Sequence, residues 1–458
     1  MPLKQILGFL ERHYVFLMTL MAALILFLNF HGQGMSGILN NYRGFKQIIL
    51  SGFDPTAAPG ATPTFPMWGY GWVFLLTESK ITILVAQNIL AIFSIWFCFR
   101  LIEEHKYLPS GALTLAKILM IASVPWYAFH SLLWPYSIAN SLLIITLCLF
   151  VKAIATEEKA TYPILISGLP FGLALNFRSD YYLFPIGFIF IIGLWAKLNK
   201  QFVQKSVLWM TLIYLTLIPW GLYTKSVTGH YLITSTNAGA ALYIGLGSLP
   251  GNKWGITLKD GDPKMHHEIK SHFGESKSFV SFEADQFLKS EFLKLISDDP
   301  AHFSKKVIRN LKTTITGGTY QGEFYESPDC HPKCYADYSE KFNGLHSNLS
   351  HYFNWDTRSQ FTIPLHVYSG KFSRILILLS YLALPFTLFY AFKRRNILLV
   401  AFFCPIAYQT LINMAGAYLP SYTTNILFFL FINLCLGLYL LAQFFLPQTQ
   451  PSLNKCAE

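Results

Sequence analysis

Residues 162–196 read YPILISGLPFGLALNFRSDYYLFPIGFIFIIGLWA, two apolar runs parted by a turn that carries Arg178 and Asp180, the only charges in the stretch. Runs of this length and character suit the hydrocarbon interior of a bilayer, and the turn between them returns the chain to the face it left. Outward from this hairpin the same signal recurs at 14–30, 81–99, 112–132, 138–154, 207–223, 375–392, 397–414 and 423–445. Counting 162–177 and 181–196 separately gives about ten expected spans, although 162–196 also reads as one broken helix. Pro125, Pro170, Pro219, Pro385 and Pro405 interrupt several of them, which a membrane helix tolerates when its neighbours satisfy the freed carbonyls.

Composition points the same way. The chain of 458 residues is 53% hydrophobic and only 13% charged, about half the charged share of an ordinary soluble domain. Too little polar surface remains to coat a water-soluble globule. The same numbers exclude intrinsic disorder, and seven Cys over this length exclude a disulfide-stapled miniprotein. The expected class is an all-α polytopic membrane protein.

The net charge of +11 points away from nucleic acid because of where the cations fall. With the N-terminus inside, the inner connections hold Arg100 and Lys106, then Lys152 and Lys159, then Lys197, Lys200 and Lys205, then Lys393-Arg394-Arg395. The outer hairpins near 134–136 and 415–420 hold no charge. Every inner turn then agrees with the positive-inside rule, with both termini cytoplasmic. No small-residue cleavage site follows Phe30, so the first run is expected to be an uncleaved anchor.

The pattern divides the chain into an N-terminal membrane module at 1–223 with a first outer loop at 31–80, a large outer loop domain at 224–374, and a C-terminal three-helix module at 375–458. Inside the large loop, 283–297 and 301–313 read as amphipathic helices parted by Asp298-Asp299-Pro300. The second sets Phe303, Val307 and Leu311 opposite Lys305, Lys306, Arg309 and Lys312. That face suits lipid headgroups or the core of a small domain.

Charges near a bilayer interior mark candidate chemistry, because burying them is costly. Arg178 offers a guanidinium fork to phosphate oxygens or pairs locally with Asp180. Lys225, after Pro219-Trp220, meets an interfacial anion or snorkels to the interface. The run Thr234-Ser235-Thr236-Asn237-Ala238-Gly239, then Leu242-Tyr243-Ile244-Gly245, offers Asn237 and Tyr243 as sugar or acceptor contacts. In the first outer loop Arg43 is a further cation, and Asp54 and Glu78 are the only carboxylates. Asp54 is the candidate general base, although Phe-Asp-Pro also fits a plain turn. Trp68 and Tyr70 are candidate sugar-stacking rings or members of an interfacial aromatic belt. Cys330 and Cys334 in Cys-His-Pro-Lys-Cys are disulfide candidates in an oxidising compartment, whereas a zinc site there lacks a fourth ligand. The sequence has no Gly-rich phosphate loop and no Gly-x-Ser-x-Gly, so ATP-driven transport and serine hydrolysis have no support.

Taken in order, Tyr42 and a Pro-rich first loop, Asn176-Phe177-Arg178, Pro219-Trp220 with Lys225, and Ser235–Gly245 ahead of Asp299-Pro300 resemble the GT-C class of membrane glycosyltransferases. The likeness is to bacterial relatives of the protein O-mannosyltransferases and aminoarabinose transferases. It implies a donor sugar on a polyprenyl phosphate and inverting transfer to a glycan, lipid or protein acceptor at the outer face of a bacterial inner membrane. A first-loop carboxylate then takes the acceptor proton, and Arg43, Arg178 and Lys225 hold the departing phosphate. Trp68, Tyr70, Glu78, Asp180, Asn237 and Tyr243 are expected beside the sugar and acceptor. Asn40 and Asn41 stand where the family places its acid, so either Asp54 supplies the base through a longer loop, or another carboxylate does, or the chain has lost transferase activity. No organic cofactor or nucleic-acid partner is implied, and no ligand cluster demands a divalent metal, whose use stays open. The competing readings are a surface-polysaccharide polymerase or ligase and a non-enzymatic polyprenyl-lipid-binding or transport protein.

Overall fold

The computed structural model describes residues 3–29, 36–58, 64–155, 161–196, 200–275, 277–317, 355–416 and 420–445. Cys330 and Cys334, with the disulfide expected of them, lie outside these residues. In chain order the helices are α1 (Leu3–Asn29), α2 (Ser36–Leu50), α3 (Gly69–Leu76), α4 (Lys80–His105), α5 (Ser110–Ile121), α6 (Val124–His130), α7 (Pro135–Ala155), α8 (Thr161–Phe177), α9 (Phe184–Ala196) and α10 (Lys200–Leu215). They continue as α11 (Ile218–Thr228), α12 (Ala238–Gly245), α13 (Pro263–Phe273), α14 (Phe282–Asp298), α15 (Pro300–Thr316), α16 (Trp355–Lys393), α17 (Ile397–Ala415), α18 (Pro420–Asn425) and α19 (Leu427–Phe445). No strand occurs among the described residues.

The chain is an all-helical polytopic membrane protein, but the straight-span count differs from ten. Six helices among the described residues are long and apolar enough to cross a bilayer, in α1, α4, α7, α16, α17 and α19. Two bent pairs, α5–α6 at 57° and α10–α11 at 44°, raise the number to eight if each is one span. The bends have a shared cause. Pro125 and Pro219 stand in the first turn of α6 and α11, where a residue without an N–H starts a helix well but cannot continue the one before. The expected spans at 162–177 and 181–196 are shorter apolar helices, which meet at the tight turn Ser179–Tyr181.

Burial follows the helices' position in the bundle. Leu427–Leu436 of α19 is buried on every side, as is Leu398–Ile406 of α17, the pattern of central helices. At the periphery Phe16 and Leu20 of α1, Phe190 and Leu194 of α9, and Phe386 and Phe389 of α16 stay exposed, as lipid-facing side chains do. Lys117, buried inside the expected 112–132 run, pairs with Glu103 and lies 3.8 Å from Glu11, tying α1, α4 and α5 together.

Helices α12 to α15 build a lobe with its own core of Tyr243, Leu246, Trp254, Met265, Leu288 and Phe292. Ser281 caps α14 through the Ala284 N–H, and Asp299 caps α15 through the His302 N–H at 2.9 Å. The burial of α15 departs from its apolar pattern. His302, Lys306, Asn310 and Thr314, spaced four apart, form its buried stripe, while Phe303, Val307 and Leu311 are only half-buried. This polar stripe docks on the last turn of α17, so Lys306 does not join the solvated face with Lys305 and Arg309.

Candidate functional site

Three separated segments meet where the lobe joins the bundle. Thr236 donates its N–H to the Thr64 carbonyl at 3.2 Å and shares a 2.6 Å hydroxyl contact with the same residue. Ser235 meets Ser179 at 3.0 Å, oxygen to oxygen. The first loop, the Arg178 turn and the small-residue run are thereby brought into one seam. Gly239 explains part of the sequence of that run. Its N–H donates to Asp285 Oδ1 at 2.6 Å, and a Cβ there would collide with the Asp285 backbone. Asp285, buried on α14, also accepts from Lys289 at 2.5 Å.

Arg178 is paired with Asp180. Its Nε donates to Asp180 Oδ1 at 2.8 Å and its Nη2 to Oδ2, the planar fork-to-carboxylate geometry that a lysine cannot copy. The guanidinium lies over the Tyr136 ring, 3.1 Å from its centroid, with Tyr422 at 6.0 Å. Tyr408 donates its hydroxyl to the Asp180 carbonyl at 2.6 Å. The local pair foreseen between Arg178 and Asp180 is therefore formed, with an aromatic seat beneath it.

Asp54 sits at the start of a single turn, Pro55–Ala57, and accepts from the Thr56 N–H at 2.9 Å and hydroxyl at 2.7 Å. These bonds, the hydroxyl's first, hold its carboxyl below the usual range. It is exposed, and its neighbour Phe53 packs on Trp68 and Tyr223 at 5.7 and 6.4 Å. Glu78 pairs with Lys46, whose hydrogen bond keeps that carboxyl low as well. Arg43 on α2 and Lys225 in the last turn of α11 are exposed.

Trp68 and Tyr70 belong to the packing. Trp68 donates its indole N–H to Asn176 Oδ1 at 2.7 Å and lies between Trp220 and Tyr223. Tyr70 bonds Gln87, donates to the Trp134 carbonyl at 3.2 Å and touches Tyr42. Both are buried, so neither offers a ring face to a sugar. Asn237 accepts from Ser235 at 2.7 Å just ahead of α12. Tyr243 lies in the lobe core and donates to Glu268 at 2.6 Å. Among the described residues no group of three or more His, Cys, Asp or Glu is arranged to hold a metal ion.

Asp285 is not singled out in the sequence, and Lys306 reads there as one cation of a polar face. Lys306 donates to three carbonyls, Met414 at 3.2 Å, Ala415 at 2.5 Å, and Gly416, and lies 5.4 Å from the Phe303 ring centroid. The four-residue spacing of His302, Lys306, Asn310 and Thr314 was the signal that could have exposed it. No protein-family model, curated protein or solved structure matches the chain.

Proposed function

We propose that the chain is a glycosyltransferase that moves a sugar from a polyprenyl phosphate to an acceptor hydroxyl, with inversion at the anomeric carbon. In this reading the bent pairs and the short α8 and α9 complete ten crossings. The lobe lies on the periplasmic side of a bacterial inner membrane, beside the outer leaflet that presents the donor. The observation that carries the reading is the seam itself, which joins the first loop, the Arg178 turn and the Ser235–Gly239 run at one end of an apolar bundle.

The acceptor oxygen bonds to the anomeric carbon as the bond from that carbon to the phosphate oxygen breaks, and the electron pair leaves with the phosphate. The acceptor proton passes to Asp54. A carboxylate held low by Thr56 is a weak base, so the proton moves late, once the attacking hydroxyl has become acidic. Arg178 is committed to Asp180, so it orders the seam, and the departing phosphate falls to Arg43 and Lys225.

Purified protein in lipid, given polyprenyl-phosphate-linked sugars and candidate acceptors, is expected to release polyprenyl phosphate. Asp54→Asn abolishes that release, and Arg43→Ala weakens donor binding about tenfold, as loss of a charged contact does. Full turnover in Asp54→Asn removes Asp54 from the mechanism. No release from any donor favours a silent lipid-binding or transport protein, a reading that the closed Arg178–Asp180 pair supports.

A further inference from the structure

Helices α6, α7, α17 and α18 converge at the lobe end of the bundle, α18 packing on the other three and α17 on α7. Gly111 at the start of α5 lies against the Tyr439 ring near the far end of α19. The α18–α19 limb therefore runs antiparallel to α5–α6 and parallel to α7. Tyr136 and Tyr422, with ring centroids 5.6 Å apart, set α7 and α18 level. About one turn further into the bundle stand Asn140 and Asn425, each 1% exposed, and neither side-chain amide makes a hydrogen bond among the described residues.

Their surroundings repeat the pattern. Trp126 Nε1, His130 Nε2, Thr423 Oγ1 and Gln409 Oε1 are also buried and, among the described residues, unpartnered. The other His130 nitrogen meets Ser137 Oγ at 2.7 Å, which holds the ring in place. Donors and acceptors left unpaired in a bilayer interior are costly, and here they gather on helices that pack together. None of them is a carboxylate, an ammonium or a guanidinium. The four helices carry one charge, Lys152, which lies exposed at the far end of α7, and Arg178, which stacks on Tyr136 at the rim, is paired with Asp180.

We propose that this cluster receives the ring of an uncharged polyol, a neutral pyranose whose hydroxyls both donate and accept. The inference deepens the transferase reading by naming its sugar class, and it rests on that reading only for the lipid carrier. Among the cluster's own side chains an amino sugar finds no carboxylate and a phosphate no Lys or Arg, and the rim pair Arg178–Asp180 is closed on itself.

The test is saturation-transfer NMR on the full chain in lipid nanodiscs, with methyl hexopyranosides, a methyl 4-amino-4-deoxypentoside and inorganic phosphate as probes. At least one neutral hexoside should bind. Asn140→Leu with Asn425→Leu should lower its affinity tenfold or more without lowering the unfolding temperature, since the apolar side chains relieve unpaired amides. If that double variant fails to fold, Thr423→Val carries the same comparison. Absence of hexoside binding, preference for the amino sugar or phosphate, or undiminished affinity in the variants overturns the proposal. Hexoside binding without release of polyprenyl phosphate from any donor upholds the cluster and removes the transferase reading. Transfer from an amino-sugar donor without hexoside binding removes the cluster alone.

Discussion

Lys306 closes a helix that belongs to another part of the molecule. The last carbonyls of any helix lack partners within it, and on α17 those of Met414, Ala415 and Gly416 receive the Lys306 ammonium, a placement the helix dipole favours. Burial nevertheless pushes this ammonium down from 10.5 to about 7. Between those values the unfolded chain holds a proton that the folded one has released, so stability rises with pH across the interval. Thermal unfolding in nanodiscs should therefore show a temperature that climbs from pH 7 to pH 10 in the native chain. Lys306→Met should flatten that climb and unfold earlier, because an orphaned buried carbonyl costs about 1–3 kcal/mol. A climb of equal size in the variant would assign the pH dependence to other groups.

At the level of elements, α8 is held by glycines. Gly168 and Gly172 face Trp209 and Thr216, and a Cβ on Gly172 would run into the Thr216 side chain at the α10–α11 bend. Small residues four apart let membrane helices approach closely. Gly172→Ala should cost about 1–3 kcal/mol by overpacking, read as a lower unfolding temperature, and adding Thr216→Ala should restore most of it. The apolar helices themselves were legible because their signal is local: each run announces its own length. The bends were half legible, since Pro125 and Pro219 were plain but a proline's effect depends on its neighbours. Site placement was least legible. Trp68 and Tyr70 carried the composition of a stacking platform, and only the fold reveals that Asn176 and Gln87 hold them inside. Asp54 read both as a base and as a turn former, and its bonds to Thr56 express the second role. Lys306 hid in an amphipathic pattern whose buried face turned out to be polar.

For the whole molecule, the two ends of the bundle differ in charge and covering. Lys225 closes α11 beside the lobe, whereas Arg394, ahead of α17, lies at the opposite end, and both are exposed. Lys225→Cys and Arg394→Cys should react with a membrane-impermeant maleimide from opposite faces of sealed vesicles, and labelling from one face alone would break the topology. The short α9 adds a further constraint. Its 13 residues span about 20 Å, against roughly 30 Å of hydrocarbon in a typical membrane. Leu183, Ile186, Phe190 and Leu194 are exposed along that flank. In the ten-crossing reading proposed above, acyl chains beside α9 shorten or splay to match it, so the membrane dips beside the hairpin, and phospholipids with short tails should collect in the hollow.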